Sequence, residues 1–430
     1  DDGMLHAFAG DTLDESWAMI PSLMLASLAT YASDMFRVDH RFGIDGTPVV
    51  GDIFVPSLTG ADKQRWRTLL VGGYNAGGRG YYAIDVTDPD NPAPLWEFSC
   101  QTSGAVTGGL CDVGLSFGNP VIVKRTDGRW VVLVTGGYNS ASGRAVLFVL
   151  DAYTGSVLAR VAPTSGGVEV GTPASPAGLA KITAWVDHAQ IDNTATWVYG
   201  GDLAGRVWRF DITPGAESAS LLGTLTDASG KPQSVTTAPE LARKLRTGER
   251  MVIVGTGRLL DFSDVVRPEQ QSVYGLVDAG ASVDRADLGQ CTVSVLATER
   301  KGLCTGDETR GWVMDLPGAN ERMTIAPSVQ LGALTFATNV PSSASSDPCS
   351  GSASTLVYAL DFNNGSALPT EGGRIGRIAA DRFAVGMVMV MVRGQLTAYV
   401  ATNAGTHVPV AVPTASTVSG RRVSWRELGD

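Results

Sequence analysis

Five cysteines, four histidines and a recurring glycine-rich phrase are the features of this 430-residue chain that could do chemistry. The cysteines stand at 100, 111, 291, 304 and 349, in stretches that read as loops. None has the Cys-x-x-Cys spacing that suits zinc or a redox dithiol. Cys100 and Cys111 flank Gln-Thr-Ser-Gly-Ala-Val-Thr-Gly-Gly-Leu, a loop too flexible to order without a staple, and are expected to pair. Cys291 and Cys304 bracket another polar stretch and are also expected to pair, with Cys304–Cys349 as the competing bridge and one cysteine left odd. Loop cysteines paired locally fit an oxidising compartment. The histidines (6, 40, 188 and 407) are too scattered for a His-rich metal site.

The remaining chemical patterns have structural readings. Gly136-Gly-Tyr-Asn and Gly255-Thr-Gly-Arg look like phosphate cradles, but neither opens a helix, so the terminal dipole that attracts anions is missing. Both read as hairpin glycines. Asp85-Val-Thr-Asp88-Pro-Asp90-Asn91-Pro lacks the alternating register of a calcium loop, and its Asp-Pro and Asn-Pro steps initiate turns. Trp96, Trp208 and Trp312 read as packing aromatics. Arg79, Arg144, Arg206 and Arg258 recur just after turn glycines and are expected to pair with strand-ending aspartates. No Ser, Cys or His constellation suggests an enzyme.

The elements that hold these residues repeat. Leu70-Val-Gly-Gly-Tyr-Asn runs on to Tyr82-Ala-Ile-Asp85, Val134-Thr-Gly-Gly-Tyr-Asn-Ser to Val149-Leu-Asp151, and Val198-Tyr-Gly-Gly-Asp to Trp208-Arg-Phe-Asp211. A looser copy joins Val252-Ile-Val-Gly-Thr-Gly-Arg258 to Ser272-Val-Tyr-Gly-Leu-Val-Asp278. Each is an apolar strand, a glycine-rich turn and a second strand ending in Asp. A strand opening with proline precedes each hairpin, at Pro48, Pro120, Pro173 and Pro239, and recurs at Pro327. Proline cannot donate to a central ladder and so belongs at a strand's start. Such restarts fit four-stranded blades better than a sandwich. The fold class is therefore all-β, an irregular β-propeller of about seven blades with long inter-blade insertions. Residues 1–430 are expected to form a single propeller domain. One short helix is expected after Pro21, and Val385–Val392 reads as a buried strand.

The net charge of −10 argues against a nucleic-acid surface and against a polybasic membrane patch. No apolar run reaches the ~20 residues that cross a bilayer. The opening Asp1-Asp-Gly-Met-Leu-His-Ala-Phe8 reads as the middle of a blade, so the chain is expected to be a piece of a longer protein.

Taken in order, Asp45-Gly-Thr-Pro-Val-Val-Gly-Asp52, Trp66-Arg-Thr-Leu-Leu-Val-Gly-Gly73, Gly77-Gly-Arg-Gly-Tyr-Tyr-Ala-Ile-Asp-Val-Thr-Asp-Pro89 and Leu95-Trp-Glu-Phe98 carry a resemblance. Phe117-Gly-Asn-Pro-Val-Ile, Gly201-Asp-Leu-Ala-Gly-Arg-Val-Trp-Arg-Phe-Asp211, Gly255-Thr-Gly-Arg258 and Gln271-Ser-Val-Tyr-Gly275 continue it. The chain resembles the C-terminal β-propeller domain of the PilC/PilY family of type IV pilus biogenesis proteins and tip adhesins over roughly residues 1 to 410. The resemblance implies a non-enzymatic, secreted module that reaches the cell surface and pilus tip through the periplasm. It implies minor pilins of the tip complex and host or abiotic surfaces as partners, promotion of extension against retraction, adhesion and twitching motility. It also implies an upstream N-terminal region, often with a von Willebrand A-like domain.

The resemblance further implies a calcium loop of pattern Asp-x-Asp-x-Asp-x-x-x-Asp before the Val-Tyr-x-Gly-Asp strand. Calcium takes six to eight hard oxygen ligands, which closely spaced carboxylates supply. The matching stretch is Trp185-Val-Asp-His-Ala-Gln-Ile-Asp-Asn-Thr-Ala-Thr-Trp-Val-Tyr199. Counting back from Tyr199 puts His188, Gln190, Asp192 and Thr196 on ligand positions, and a shift of one residue recruits Asp187. A degenerate site of Asp187, Gln190, Asp192 and Thr196, weakened or ion-free, is the expectation; otherwise Asp187 and Asp192 are turn residues. Another function class is a quinoprotein-type dehydrogenase, because Asp151-Ala-Tyr-Thr-Gly155 resembles the Asp-x-x-Thr-Gly turn of those propellers; against it, the turn recurs only loosely, as Asp361-Phe-Asn-Asn-Gly365, and no adjacent cysteine pair is present. A periplasmic scaffold unrelated to pili is a third. Insertions at about 10–36, 99–114 and 279–311 are expected to carry specificity.

Overall fold

The computed structural model describes residues 2–33, 36, 38, 40–59, 61–189, 191–244, 246–305, 309–341 and 353–414. The chain divides into two compact units, Asp1–Pro239 with Gly280–Asp284, and Glu240–Ala279 with Arg285–Asp430.

In the first unit, hairpin β1 (Leu5–Phe8) and β2 (Glu15–Met19) precedes two single-turn helices, α1 (Ser22–Leu25) and α2 (Leu28–Tyr31). The helical segment begins after Pro21, as expected, with Pro21 as N-cap. A four-stranded antiparallel meander follows: β3 (Val49–Phe54), β4 (Trp66–Gly73) after α3 (Asp62–Arg65), β5 (Tyr81–Asp85) and β6 (Ala93–Phe98). Helix α4 (Cys100–Ser103) and the small hairpin β7 (Val106–Thr107) and β8 (Leu110–Cys111) lead to a second meander, β9 (Val121–Lys124), β10 (Trp130–Thr135), β11 (Leu147–Asp151) and β12 (Val157–Val161). A hairpin of β13 (Thr164–Ser165) and β14 (Val168–Glu169) precedes the third, β15 (Ile182–His188), β16 (Asp192–Gly201), β17 (Arg206–Asp211) and β18 (Ser218–Thr224).

The inner strands read as unbroken apolar runs because both of their faces are covered. Val131 and Leu133 of β10 join Val198 and Phe210 in one core, while Val132 and Val134 join Leu69, Val71 and Tyr81 in another. On β11 the alternation repeats, with Leu147 and Val149 on one side and Phe148 and Leu150 on the other. The two-residue period of a strand thus deals successive side chains to two cores.

In the second unit, β19 (Glu240–Arg243), β20 (Arg250–Gly255), β21 (Ser272–Asp278, after helix α5, Phe262–Val265) and the later β24 (Gly311–Asp315) form one meander. Strands β25 (Ser328–Gln330), β26 (Ala333–Pro341), β27 (Ala353–Asp361) and β28 (Arg374–Ala380) form the next. Between β21 and β24 the chain inserts hairpin β22 (Gly289–Leu296) and β23 (Glu299–Thr305). β22 pairs in parallel with β24 and β23 pairs antiparallel with β28, so the hairpin joins both meanders into one ten-stranded sheet. Much of the 279–311 insertion is thus a strap between the two meanders. Cys291 and Cys304 face each other across this hairpin and are bonded. The Cys100–Cys111 bridge closes the α4–β8 segment. Both expected pairings hold, and Cys349 lies outside the described residues.

A three-stranded sheet of β29 (Ala384–Val392), β30 (Gln395–Thr402) and β31 (His407–Ala411) ends the described chain. The eight-residue apolar run is a strand, as expected, but it is not buried: Val385 and Val388 are each 63% exposed. Met387 and Met389 meet the core, whereas the other face of this edge strand has no core to meet. At the opposite edge, the Val412 amide bonds the Leu396 carbonyl. Alternation therefore turns Val410 inward and aims the backbone groups of Pro409 and Ala411 outward. Proline has no N–H there, and Arg377 Nη2 donates to the Ala411 carbonyl at 2.9 Å.

Glycine is required where neighbouring segments touch backbone to backbone. Gly137 has φ +67°, its amide bonds the Leu179 carbonyl, and a Cβ on it would stand 2.1 Å from the Leu115 carbonyl oxygen. Gly155 and Gly365 close the two Asp-x-x-x-Gly turns, and each lies under a tryptophan. A Cβ on Gly155 would meet the Trp96 ring at 2.5 Å, and one on Gly365 the Trp312 ring at 2.8 Å. Trp96 Nε1 donates to the Ala152 carbonyl and Trp312 Nε1 to the Phe362 carbonyl, both at 3.0 Å. The same indole-on-turn joint is thus built twice.

Gly137→Ala should lose roughly 3 kcal/mol or more in denaturant unfolding, because strain and a backbone clash add. Gly215→Ala, also at positive φ but facing open space, should lose only about 1 kcal/mol. Equal losses would contradict the steric argument. Replacing Cys291 and Cys304 together by Ser should lower stability by at most about 3 kcal/mol, the value for a loop of this size, since the hairpin is also held by its ladder.

Candidate functional site

The stretch that the resemblance aligns with a calcium loop, expected to be weakened or ion-free, is the tip of the β15–β16 hairpin. Trp185 and Asp187 lie on β15, and the indole Nε1 donates to Asp187 Oδ1 at 2.8 Å. Asp192 opens β16 opposite His188. Its Oδ1 accepts from Thr194 Oγ1 at 2.7 Å and meets Lys124 Nζ of β9 at 2.6 Å. The Lys124 ammonium holds the Asp192 carboxyl below its ordinary value of 3.8. Two further contacts seat the tip on β9: Asn193 Nδ2 donates to the Ile122 carbonyl at 3.1 Å, and Thr194 pairs in parallel with Lys124. Thr196 lies farther along β16, half-buried in the strand, and Gln190 lies outside the described residues.

The engagements of Asp187 and Asp192 do not suit a calcium ion. One carboxylate is engaged by an indole N–H and the other by an ammonium, a donor set for oxygens rather than a cage of oxygens for a cation. Among the described residues no three His, Cys, Asp or Glu side chains cluster closely enough to hold a metal. Lys124 carries no local sequence signal, because its partner lies on another meander.

The strand-ending aspartates have a different task from the one expected. Asp151 Oδ1 accepts from the Tyr153 and Thr154 amides, Asp211 Oδ1 from the Thr213 amide and Asp361 Oδ1 from the Asn363 amide. Each closes the turn that follows its strand. Arg206 opens β17 while Asp211 ends it, and Arg79, Arg144 and Arg258 lie in the connections before β5, β11 and β21; all four take other partners. Arg206 pairs with Asp202 at 2.8 Å, Arg258 with Asp264 at 2.7 Å and Arg144 with Glu169 at 2.9 Å, while Arg79 donates to the Asn139 carbonyl. The strand-ending Asp85 and Asp278 meet Arg67 and Arg250, which precede them on the neighbouring strand. Trp208 and Trp312 are buried and Trp96 half-buried, as packing aromatics. The Asp85–Asn91 cluster is a turn, in which Asp88 accepts from the Asp90 amide and Asn91 Nδ2.

The inserted segments are tied to the sheets. Glu97 grips the start of α1 with both oxygens, Oε1 taking the Ser22 amide at 2.6 Å and Oε2 its hydroxyl at 2.5 Å. Met24 of α1 is buried with Tyr74, Tyr82 and Ile84. The 99–114 segment is held by its disulfide and by Asp112, whose carboxylate takes Thr107 Oγ1 at 2.6 Å and Arg160 Nε at 2.9 Å. Arg160 then forks onto both oxygens of Glu169 at 2.7 and 3.0 Å. That fork holds the Glu169 carboxyl below its ordinary value of 4.5.

A family model described as the PilY1 beta-propeller domain matches residues 1–221. A type IV pilus biogenesis factor PilY1 homolog of Xylella fastidiosa is 30% identical over 99% of this chain and 34% of its own length. The type IV pilus biogenesis factor PilY1 of Pseudomonas aeruginosa is 28% identical over 90% of this chain and 35% of its own length. The chain thus spans about a third of these curated relatives. The crystal structure of the Pseudomonas aeruginosa PilY1 C-terminal domain superposes with a TM-score of 0.71 at 24% identity, covering 95% of this chain and 90% of that one. The likeness shows the fold, a β-propeller.

Because the folded-state value of Glu169 is depressed, its contribution to stability is full above pH 4.5 and is lost as pH falls through the lowered value. The thermal midpoint should therefore fall on acidification from pH 5 toward pH 3, and Glu169→Gln should flatten part of that decline. An unchanged slope in the variant would remove Glu169 from the explanation.

Proposed function

Because the chain belongs to the PilY1 β-propeller domain family, we propose that it serves type IV pilus biogenesis as a non-enzymatic module of a pilus-tip-associated protein. In this reading it promotes extension by opposing retraction, and it supports adhesion to host or abiotic surfaces and twitching motility. Its partners are minor pilins of the tip complex, and it reaches the cell surface through the periplasm. The observation that carries the reading is the family match over residues 1–221, with relatives of the same description aligned along nearly the whole chain. Two disulfides suit an oxidising route outward. Segments anchored by Glu97 and Asp112 to rigid sheets suit recognition, which commonly resides in loops on a fixed scaffold.

The two Asp-x-x-x-Gly turns that suggested a quinoprotein have a structural use of their own. Trp96 and Trp312 cover their glycines, so these turns are packing joints. A purified protein with a quinone absorbance band, or with dehydrogenase activity on adding quinone, would favour the quinoprotein reading.

In-frame removal of this domain from the full-length protein should abolish twitching and sharply reduce pilin in the sheared surface fraction. Normal piliation and twitching would overturn the proposal and favour a periplasmic scaffold unrelated to pili. Exchange of the 10–36 or 99–114 segments should alter adhesion while leaving pilus number unchanged.

A further inference from the structure

The tip of the β15–β16 hairpin, which the resemblance aligns with a cation loop, has the wiring of an ion pair. Lys124 reaches across from β9, places its ammonium 2.6 Å from Asp192 Oδ1, and shares that oxygen with Thr194 Oγ1. A second cation on the same carboxylate would sit against this ammonium and be repelled by it. We propose that Lys124 does in this chain the positional work a divalent metal would do, tying the hairpin tip to β9 by its own charge. The Asn193 bond to Ile122 and the Thr194–Lys124 backbone pairing set the tip beside β9, and the ammonium locks it there. A lysine suits this task because its charge is compact and rides on a stem long enough to span two strands.

The seating of the hairpin is then independent of calcium and of chelators. It depends instead on ionic strength, because Lys124 and Asp192 are 30% and 49% exposed and salt screens such pairs. Calcium does not act as a signal through this hairpin.

Hydrogen exchange of the purified chain over residues 186–196 tests the proposal. Exchange there should be the same in EDTA and in millimolar Ca2+. Lys124→Met should speed it about two- to fivefold, the range that an exposed ion pair supports. Asp192→Asn should do the same, and added NaCl should bring the wild type toward both variants. Unaltered protection of β10 shows that a variant is folded; if Lys124→Met loses that protection, Asp192→Asn decides. Slower exchange of the wild type in Ca2+ would overturn the proposal. So would a folded Lys124→Met or Asp192→Asn variant that exchanges at the wild-type rate.

Discussion

The fold depends on contacts in which one partner has no side chain. Gly137 touches the Leu115 carbonyl, and Gly155 and Gly365 lie flat under indole rings. Sheets that stack face to face keep the spacing their side chains dictate, but where the connecting turns converge that spacing closes. Only a residue without Cβ leaves room for the opposing backbone. The tryptophans complete the same contact from the other side. Each ring covers a turn glycine, and its single N–H reaches the carbonyl just after the strand-ending aspartate. A large apolar surface is thereby buried with its one polar atom satisfied.

Once those contacts set the sheets, the surface features follow from short polar ties between segments distant in sequence. Glu97 holds the first insertion, Asp112 and Arg160 the second, and Lys124 the hairpin tip. Each tie joins an inserted or projecting element to a strand already ordered by its core. The insertions therefore inherit their positions from the sheets.

The sequence made much of the architecture legible. Repeated Gly-Gly hairpins, strands opening with proline and local cysteine pairs each carry a short-range rule, and the meanders and both disulfides follow from it. Pro21 likewise marks the helical segment. The ties were illegible for a physical reason: Lys124 and Asp192 belong to different meanders, and no spacing connects them. The arginines after the turn glycines misled because their recurrence suggested recurrent partners. Each instead lies at or before the start of the strand that the aspartate ends, and finds its partner nearby in space. The apolar run at Val385–Val392 was ambiguous for a similar reason, since composition marks a strand without saying whether a second layer covers its outer face. The family resemblance marked the hairpin tip as a candidate loop, but the lysine that meets its carboxylate came from a strand outside that motif.

The strap formed by β22 and β23 has a mechanical meaning. A meander with a free outer edge can peel away strand by strand, and its neighbour need not respond. Here β22 bonds β24 while β23 bonds β28, and a covalent rung crosses between them. Loosening either edge therefore strips hydrogen bonds from the hairpin that the other edge also uses, a coupling that two separate meanders would lack. The two meanders thereby share one continuous ladder of ten strands, closed at its middle by a disulfide.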